Sequence, residues 1–322
     1  MKRILLIGCG NIGSRHLQSL SNTPGFSIDV VEYNPSAVKK AKDIIGISNQ
    51  SDVVWYDNLN SIREVPDLCI IATSSDGRKQ IIQEMLCRGV RRFLLEKIIA
   101  QSEKSYQDIL ESFLKYNAKG WVNITRRYSS YYQGLRDWFY TDNERIRILV
   151  DCGDHGLACN GIHYLDLFMF LDNSSKLEYI EEPRGFEITK TKRSDYIDFT
   201  GDLLIRSEKG SLIRLNFTDD SDALPVMIIQ NSKRRYIIED NSLTAFSSLK
   251  EDNWLLKEDL RMTEFPHVSR LTAIIVNEIL LEDKCKLPTL EESFEPHRIL
   301  LSRMLKKYKG RYGEEMEEVP VT

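Results

Sequence analysis

Three glycines lie within six residues directly after the first apolar run of the chain, and no other feature limits the possible folds so closely. The segment Gly8-Cys9-Gly10-Asn11-Ile12-Gly13 follows Ile4–Ile7. It opens a stretch in which Ile12, His16, Leu17 and Leu20 share one helical face. A short strand, a glycine turn and an amphipathic helix begin a βαβ unit. The spacing alone is a weak signal, but this context predicts a parallel-sheet α/β domain at the start of the chain.

An acidic residue stands where a dinucleotide-binding fold needs one. Glu32 follows the second apolar run, Ile28–Val31, about 20 residues after the glycine loop. A carboxylate there accepts hydrogen bonds from the adenosine ribose and repels a 2′-phosphate, while amides at the helix N-terminus hold the pyrophosphate. NAD is therefore the predicted cofactor. A plain turn with a surface glutamate and a Rossmann fold for another nucleotide remain alternatives. The predicted binding residues of this region are Gly8, Gly10, Asn11, Ile12, Gly13 and Glu32.

The spacing of apolar residues along the sequence changes between residues 122 and 150. Residues 1–122 alternate apolar runs with amphipathic stretches, which predicts an α/β Rossmann domain with a parallel sheet. Residues 123–322 are expected to form an α+β domain with a large open, mainly antiparallel sheet. Helical patterns over 267–282 and 290–307 follow, and they are candidates to pack back on the first domain. The expected strands are 4–7, 28–31, 68–72, 93–95, 121–124, 201–206, 211–217, 226–230 and 235–238, and a helix is expected over 162–171.

The amino-acid composition limits the kinds of partner that the chain can bind and the compartment in which it works. The 322 residues are 42% hydrophobic and 29% charged with a net charge of −4, so there is no basic field for nucleic acid. No apolar tract approaches the roughly 20 residues of a membrane span. The chain starts with basic residues, but the apolar run that follows them, Ile4–Ile7, is too short for a signal peptide. This run predicts a buried strand. Six scattered cysteines favour a reducing cytoplasm.

Four further motifs appear in a fixed order after the glycine loop: Val31-Glu32-Tyr33-Asn34-Pro35, Ala72-Thr73-Ser74-Ser75, Leu95-Glu96-Lys97 and Gly161-Ile162-His163-Tyr164-Leu165-Asp166. With them the chain resembles the Gfo/Idh/MocA oxidoreductases over nearly its whole length, although 175–265 match only in general character. The resemblance implies an NAD-dependent dehydrogenase or reductase that acts on a hydroxyl or keto group of a sugar or nucleotide-activated sugar, in surface-polysaccharide biosynthesis. It also implies a homodimer or homotetramer formed through the C-terminal sheet. An epimerase using transient oxidation and an NAD-binding sensor without turnover are the alternatives.

The same resemblance assigns roles to individual residues. Lys97 would polarise the reacting oxygen, and its neighbour Glu96 would help to shape the nicotinamide site. His163 would act as general acid and base, because an imidazole exchanges protons near neutral pH. Ala72, Thr73 and Ser74 would complete the cofactor site. The substrate would contact Arg127, Tyr128, Cys159, Asn160 and Asp166.

Two positions depart from the family pattern. Ile98 stands where the family has proline after the lysine, so we expect a trans peptide there and a displaced Lys97. Cys159 stands four residues before the histidine, where the family carries aspartate or asparagine. A thiol is a poor substitute for a carboxylate as a hydrogen-bond acceptor, so the substrate contact at this position must differ. These departures are the basis of the sensor alternative.

Two clusters of side chains suggest other kinds of site, one for a metal and one for an anion. Cys152, His155, Cys159 and His163 have metal-binding side chains, but Gly153 and Gly156 argue against one rigid helix through the set, and no metal is predicted. The arginines after the strand 121–124 and the basic group 233–235 would suit an anionic substrate. Clustered arginines are more often a solvated surface or an interface.

Overall fold

The computed structural model describes residues 1–46, 53–182 and 185–322. These residues divide into two compact units. The first unit contains Met1–Ala100, Lys104–Thr125 and Pro266–Glu291, and the second contains Gln101–Glu103, Arg126–Phe265 and Glu292–Thr322. Neither unit is continuous in sequence, because residues from late in the chain return to the first.

A six-stranded parallel sheet forms the centre of the first unit. Its strands are β1 Lys2–Ile7, β2 Phe26–Val31, β3 Val53–Tyr56, β4 Leu68–Ile71, β5 Arg92–Leu95 and β6 Lys119–Val122. Their order across the sheet, β3-β2-β1-β4-β5-β6, is that of a dinucleotide-binding fold. The Rossmann prediction is confirmed, and each expected strand lies within two residues of its predicted ends. Only β3 was not predicted, because it is a short edge strand with Val54 half exposed.

The helices of the described residues alternate with these strands and then follow them. They are α1 Gly13–Ser21, α2 Pro35–Ile45, α3 Arg78–Cys87, α4 Glu103–Lys115, α5 Ser130–Asp142, α6 Leu157–Asp172, α7 Val268–Glu282 and α8 Phe294–Tyr312. Pro35 at the first position of α2 and the Asn34 side chain, which accepts from the Ser36 amide at 2.9 Å, fix the start of that helix.

One of the two late helices belongs to the first unit. Helix α7 packs against α1, and the Ala273 amide donates to Ser19 Oγ at 3.0 Å. The residues that follow α7 reach the outer edge of β6, where the Leu290 amide donates to the Gly120 carbonyl at 2.8 Å. Helix α8 lies in the second unit.

A nine-stranded sheet forms the centre of the second unit. Its strands are β7 Arg147–Cys152, β8 Leu177–Glu181, β9 Phe186–Lys190, β10 Ile197–Ser207, β11 Leu212–Phe217, β12 Val226–Gln230, β13 Arg234–Glu239, β14 Thr244–Leu249 and β15 Leu256–Glu258. They follow the order β15-β14-β13-β12-β7-β11-β10-β8, and β9 pairs with β10. Only β7 and β11 run parallel among these pairs, which confirms the expected mainly antiparallel sheet.

Helix α6 covers part of this sheet and is apolar on nearly all sides. It packs on β10, β11, α5 and α8. Its buried residues include Ile162, Leu165 and Phe168. A helix that is apolar on nearly all sides is stable only where other elements enclose it. Within the described ranges, no helix has the length and hydropathy to cross a lipid bilayer.

Candidate active site

The glycine loop lies between β1 and α1 in the first unit. Gly8 has φ +84°, and a Cβ there would lie 2.9 Å from the Thr73 amide nitrogen. A Cβ on Gly13 would overlap the carbonyl oxygen of Gly8, whereas a Cβ on Gly10 would meet no atom within 4 Å. Gly8 and Gly13 are therefore required by close backbone packing, and Gly10 leaves open space beside the helix N-terminus. These are the separate roles that the three glycines serve when a pyrophosphate binds.

Glu32 anchors this loop to the end of β2. Its carboxylate is 9% exposed, and it accepts hydrogen bonds from the Cys9 amide at 2.7 Å and the Asn34 amide at 2.9 Å. A carboxylate can accept about four hydrogen bonds, so two positions remain for ribose hydroxyls. Burial, followed by the charge of Glu32, raises the pKa of the Cys9 thiol to about 12. Asn11 is also held in place, since its Oδ1 accepts from Lys40 Nζ at 3.0 Å.

Arg78 connects the two loops that follow β4 and β5. The residue is fully buried at the start of α3. Its Nη1 donates to the carbonyl of Glu96 at 2.5 Å and to that of Ile98, and its Nη2 donates to the carbonyl of Thr73. Sequence reasoning missed this residue. The available signal was a cation in the first turn of a helix, where the helix dipole disfavours positive charge.

The peptide between Lys97 and Ile98 is cis, so the expected trans peptide is wrong. The expectation rested on the local preference of a residue pair without proline. In the folded chain Ile98 is buried, and Arg78 binds the carbonyl groups of Glu96 and Ile98 on either side of Lys97. The tertiary contacts therefore determine the backbone here. Lys97 itself is half-buried at the carboxyl end of β5.

Glu96 lies at the centre of a buried hydrogen-bond network. Its Oε1 is 3.0 Å from His16 Nε2 and accepts from Asn123 Nδ2. His16 Nδ1 lies 2.8 Å from Thr272 Oγ1, and the hydroxyl of Thr272 donates to the Val268 carbonyl at 2.9 Å. Burial works to raise the pKa of Glu96, but hydrogen bonds from His16 and Asn123 and the positive charges of His16 and Lys97 lower it below its ordinary value.

This network defines the proton positions around His16. A carboxylate oxygen can only accept, so His16 Nε2 carries the N–H of its contact with Glu96 Oε1. The Thr272 hydroxyl lies within hydrogen-bond distance of both His16 Nδ1 and the Val268 carbonyl. The network therefore joins α1, the end of β5 and α7. The sequence placed His16 only on the apolar face of α1, because its partners lie far away in the chain.

In the second unit, His163 lies on α6 and is half-buried. This helix begins at Leu157, earlier than the predicted 162. Asp198 on β10 accounts for the extra turn, because its carboxylate accepts from the Ala158 amide at 2.7 Å and the Cys159 amide at 3.3 Å. The Asn160 side chain turns back and donates to the carbonyl of His155. Cys159 is half-buried on the same helix.

Arg127 and Asp166, both predicted to contact substrate, form an ion pair with each other. Arg127 Nε lies 3.0 Å from Asp166 Oδ2 and Nη2 lies 2.8 Å from Oδ1, while Nη1 reaches Glu292 Oε2 at 2.9 Å. Burial raises the pKa of Asp166 despite the opposing charge of Arg127. Both carboxylate oxygens therefore have a partner within the protein. Tyr128 is half-buried at the end of a 3-10 turn over Thr125–Tyr128.

Other members of the two basic groups are also paired with acids. Arg126 contacts Asp240 at 3.0 Å and its guanidinium carbon lies 4.5 Å from the centre of the Tyr164 ring. Arg234 contacts Asp142 at 2.8 Å. Charge neutralised in this way gives less support to an anionic substrate than unpaired arginines would.

The geometry does not support the alternative of a metal site formed by Cys152, His155, Cys159 and His163. Cys152 ends β7, His155 precedes α6, and Cys159 and His163 lie on α6. Over residues 1–46, 53–182 and 185–322, no group of three or more His, Cys, Asp or Glu side chains could hold a metal ion.

The sequence of the first unit matches a known protein family over its N-terminal part. Residues 2–124 match the family model described as Gfo/Idh/MocA, oxidoreductase family, NAD-binding Rossmann fold. No curated protein matches the sequence. The match covers the glycine loop, Glu32, the 72–74 segment and Lys97.

Solved structures share this fold over 94–96% of the chain. An oxidoreductase from Agrobacterium radiobacter in complex with NAD+, L-tartaric acid and magnesium has 11% identity and a TM-score of 0.71, with 96% of this chain and 97% of that chain covered. The UDP-N-acetylglucosamine 3-dehydrogenase GnnA from Acidithiobacillus ferrooxidans has 13% identity and a TM-score of 0.73, with 94% and 96% covered. KijD10, a 3-ketoreductase from Actinomadura kijaniata in complex with NADP and TDP-benzene, has 13% identity and a TM-score of 0.71, with 94% and 96% covered.

At such low identity these structures establish a common fold and nothing more specific. The family model adds the cofactor and the class of reaction, and it agrees with the strand order and with the separate roles of the three glycines. Residues 2–124 thus match the Gfo/Idh/MocA family of oxidoreductases with an NAD-binding Rossmann fold.

Proposed function

We propose that this oxidoreductase acts on a hydroxyl or keto group of a sugar or nucleotide-activated sugar, in the synthesis of surface polysaccharides. The observation that carries the proposal is the position of Lys97, half-buried at the carboxyl end of β5 with both flanking carbonyl groups bound by Arg78. Ligands of open α/β sheets bind at the carboxyl ends of the strands. Two proteins of the same fold, GnnA and KijD10, are named for reactions at position 3 of their substrates.

The chemistry assigns one role to each residue. Bound NAD supplies the acceptor or donor of a hydride. The Lys97 ammonium polarises the reacting oxygen and stabilises the negative charge that develops on it. His163 takes the hydroxyl proton during oxidation and returns it during reduction. Glu96 keeps its negative charge beside Lys97 and is held by His16 and Asn123.

Cofactor choice provides the first test. We expect the purified protein to bind NADH at least 10-fold more tightly than NADPH in a fluorescence titration, because the Glu32 carboxylate repels a 2′-phosphate. Glu32→Gln should reduce this preference toward equality, since it removes the charge and weakens the acceptor for the ribose hydroxyls. Glu111→Gln, an exposed change on α4, is the matched control and should leave the preference unchanged. Equal binding of both cofactors by the unmodified protein would contradict the assignment of Glu32.

The open face of the second sheet supports a proposed homodimer or homotetramer. Leu149, Ile228, Ile237 and Phe246 are in register on the adjacent strands β7, β12, β13 and β14. Leu149 is 38% exposed and Phe246 is 36% exposed. A row of apolar side chains across four strands is a surface that association would remove from water. We propose that two copies of the chain meet on this face.

A charged residue in this row should prevent association. Leu149→Asp would place a carboxylate in the middle of the contact, so we expect the mass in solution to fall to that of one chain. Light scattering after size-exclusion chromatography measures the change. Leu114→Asp, at an 84% exposed leucine on α4, is the control and should leave the mass unchanged. A multimer that persists in Leu149→Asp would place the interface elsewhere.

The cysteines support the proposal that the protein works in the reducing cytoplasm. All six are free thiols. Burial raises the pKa of Cys69, and it raises that of Cys152 to about 12 with a contribution from Asp151. Such thiols resist ionisation and remain reduced side chains of the core.

A further inference from the structure

Side chains of opposite charge occupy the two ends of the open face of the second sheet. Because side chains alternate along a strand, every second residue of β7 and β13 lies on this face. In chain order, these residues are Arg147, Leu149 and Asp151 on β7, and Arg235, Ile237 and Glu239 on β13. The register pairs Gln230 of β12 with both Arg147 and Arg235. The two arginines therefore lie at one end of the face, and the two carboxylates lie at the other, about 13 Å away.

Among the described residues, these four charges have no partner of opposite sign. Over 1–46, 53–182 and 185–322, no carboxylate lies within 4.0 Å of either arginine, and no basic group lies within 4.0 Å of either carboxylate. The polar side chains that they contact are uncharged, namely Gln230 for Arg235, Asn216 for Asp151 and Ser242 for Glu239. On the adjacent strands β10 and β11, by contrast, Asp202 and Arg214 pair with each other. The centre of the sheet thus carries charges that its own chain leaves unpaired.

An apolar row separates the two charged ends. Its members, which lie on β7, β12, β13 and β14, are Leu149, Ile228, Ile237 and Phe246. Beside this row the face is hollow, with a cavity of about 290 Å³ whose lining includes Arg147, Arg235 and three members of the apolar row. The hollow leaves room for acidic side chains of another molecule beside both guanidinium groups.

The charges favour one of the two simple ways in which this face can pack on a second copy. Packed sheets keep their strands within about 30° of one direction, and the two-fold axis that relates identical sheets lies between them. With the axis along the strands, each end of the face meets the same end of the second copy, so arginines oppose arginines. With the axis across the strands, along the apolar row, the ends are exchanged. Arg147 then faces Asp151 of the second copy, Arg235 faces its Glu239, and the two apolar rows lie against each other.

We infer that two copies of the chain meet on this face across a two-fold axis that runs along the apolar row. The second copy supplies the partners that the four charges lack within one chain. Symmetry forms each pair twice, so four ion pairs flank the apolar contact. The charges fix the orientation of the two copies, while the apolar row provides the surface that association removes from water. This inference rests on the proposed association of the chain through this sheet.

Reversing one charge tests the orientation by the sign of its effect. Arg147→Glu would place like charges together at two symmetric positions, so we expect the Kd of association to rise about 10- to 100-fold. Asp151→Arg should raise it to a similar extent. Both changes on one chain should return Kd to within about threefold of the unmodified value, because each pair forms again with its signs exchanged.

Sedimentation of fluorescently labelled chains at low ionic strength measures these constants, since salt screens exposed charges. Arg193→Glu is the matched control, at an exposed arginine in the turn between β9 and β10. It should leave Kd unchanged. The combined variant also serves as the control for folding, because recovered association requires an intact sheet.

The outcomes separate the orientation from the proposed association. A lower Kd in Arg147→Glu would show that like ends meet, which overturns the orientation and leaves the association standing. The same holds if both reversals leave Kd unchanged while Leu149→Asp still gives single chains, or if the combined variant does not recover. A multimer that persists in Leu149→Asp and in both reversals would place the interface elsewhere and overturn both proposals.

Discussion

Replacing His163 with alanine should lower kcat by about 10²- to 10⁴-fold, the usual contribution of a general acid or base. The affinity for NADH should change less than about twofold, since the glycine loop and Glu32 lie in the other compact unit of the chain. Steady-state kinetics with a panel of nucleotide sugars, together with NADH titration, measure both quantities. A loss confined to kcat is the signature of a group that acts on the reacting proton.

His267→Ala is the matched control for this change. His267 is exposed and precedes α7 in the first unit. It should retain kcat, and any loss in both variants would indicate a general effect of removing an imidazole. Full activity in His163→Ala would remove this residue from the proposed chemistry.

Replacing Arg78 with methionine should lower the free energy of unfolding of the first unit by about 3–5 kcal/mol. The side chain of methionine fills similar space but leaves the buried carbonyls of Thr73, Glu96 and Ile98 without their donor. A buried acceptor without a partner costs about 1–3 kcal/mol. The same change should weaken NADH binding, because Arg78 holds the loop that carries Thr73 and the loop that carries Lys97.

Urea unfolding followed by tryptophan fluorescence measures this loss, since Trp55 and Trp121 both lie in the first unit. Arg63→Met, at an exposed arginine of the same unit, should cost less than about 0.5 kcal/mol. Arg78→Lys should recover only part of the stability, because one ammonium lacks the planar fork of a guanidinium. Unfolding of Arg78→Met at the same urea concentration as the unmodified chain would show that the three carbonyls do not need the arginine.

Local patterns in the sequence were sufficient for the elements that carry the cofactor site. The apolar run before Gly8, the helical spacing after Gly13 and the acid at 32 each follow rules that act over a few residues. The alternation of apolar residues likewise predicted β10, β11, β12 and β13 of the second sheet, but it missed β7, which lies between β12 and β11. Strand β3 was missed because a four-residue edge strand carries little periodic signal.

Contacts between distant parts of the chain could not be predicted in this way. His16 meets Thr272 across 256 positions, and Asp198 meets Ala158 across 40. The identity of each partner depends on topology, which neither residue reveals in its own neighbourhood. The peptide between Lys97 and Ile98 is a further example. The local preference of a pair without proline predicts a trans peptide, but the peptide is cis in a loop whose Ile98 carbonyl binds Arg78.

Helix α7 has a consequence for the order in which the protein can mature on the ribosome. The first 125 residues contain the whole parallel sheet, yet α1 packs against α7, a helix that is made much later and whose buried residues include Ile275, Val276 and Ile279. His16 and Ser19 also acquire their partners only then. The nascent nucleotide-binding unit must therefore remain incomplete, with one apolar helix face open to chaperones, while the second unit is synthesised. The family match ends at residue 124, whereas the first compact unit also includes Pro266–Glu291.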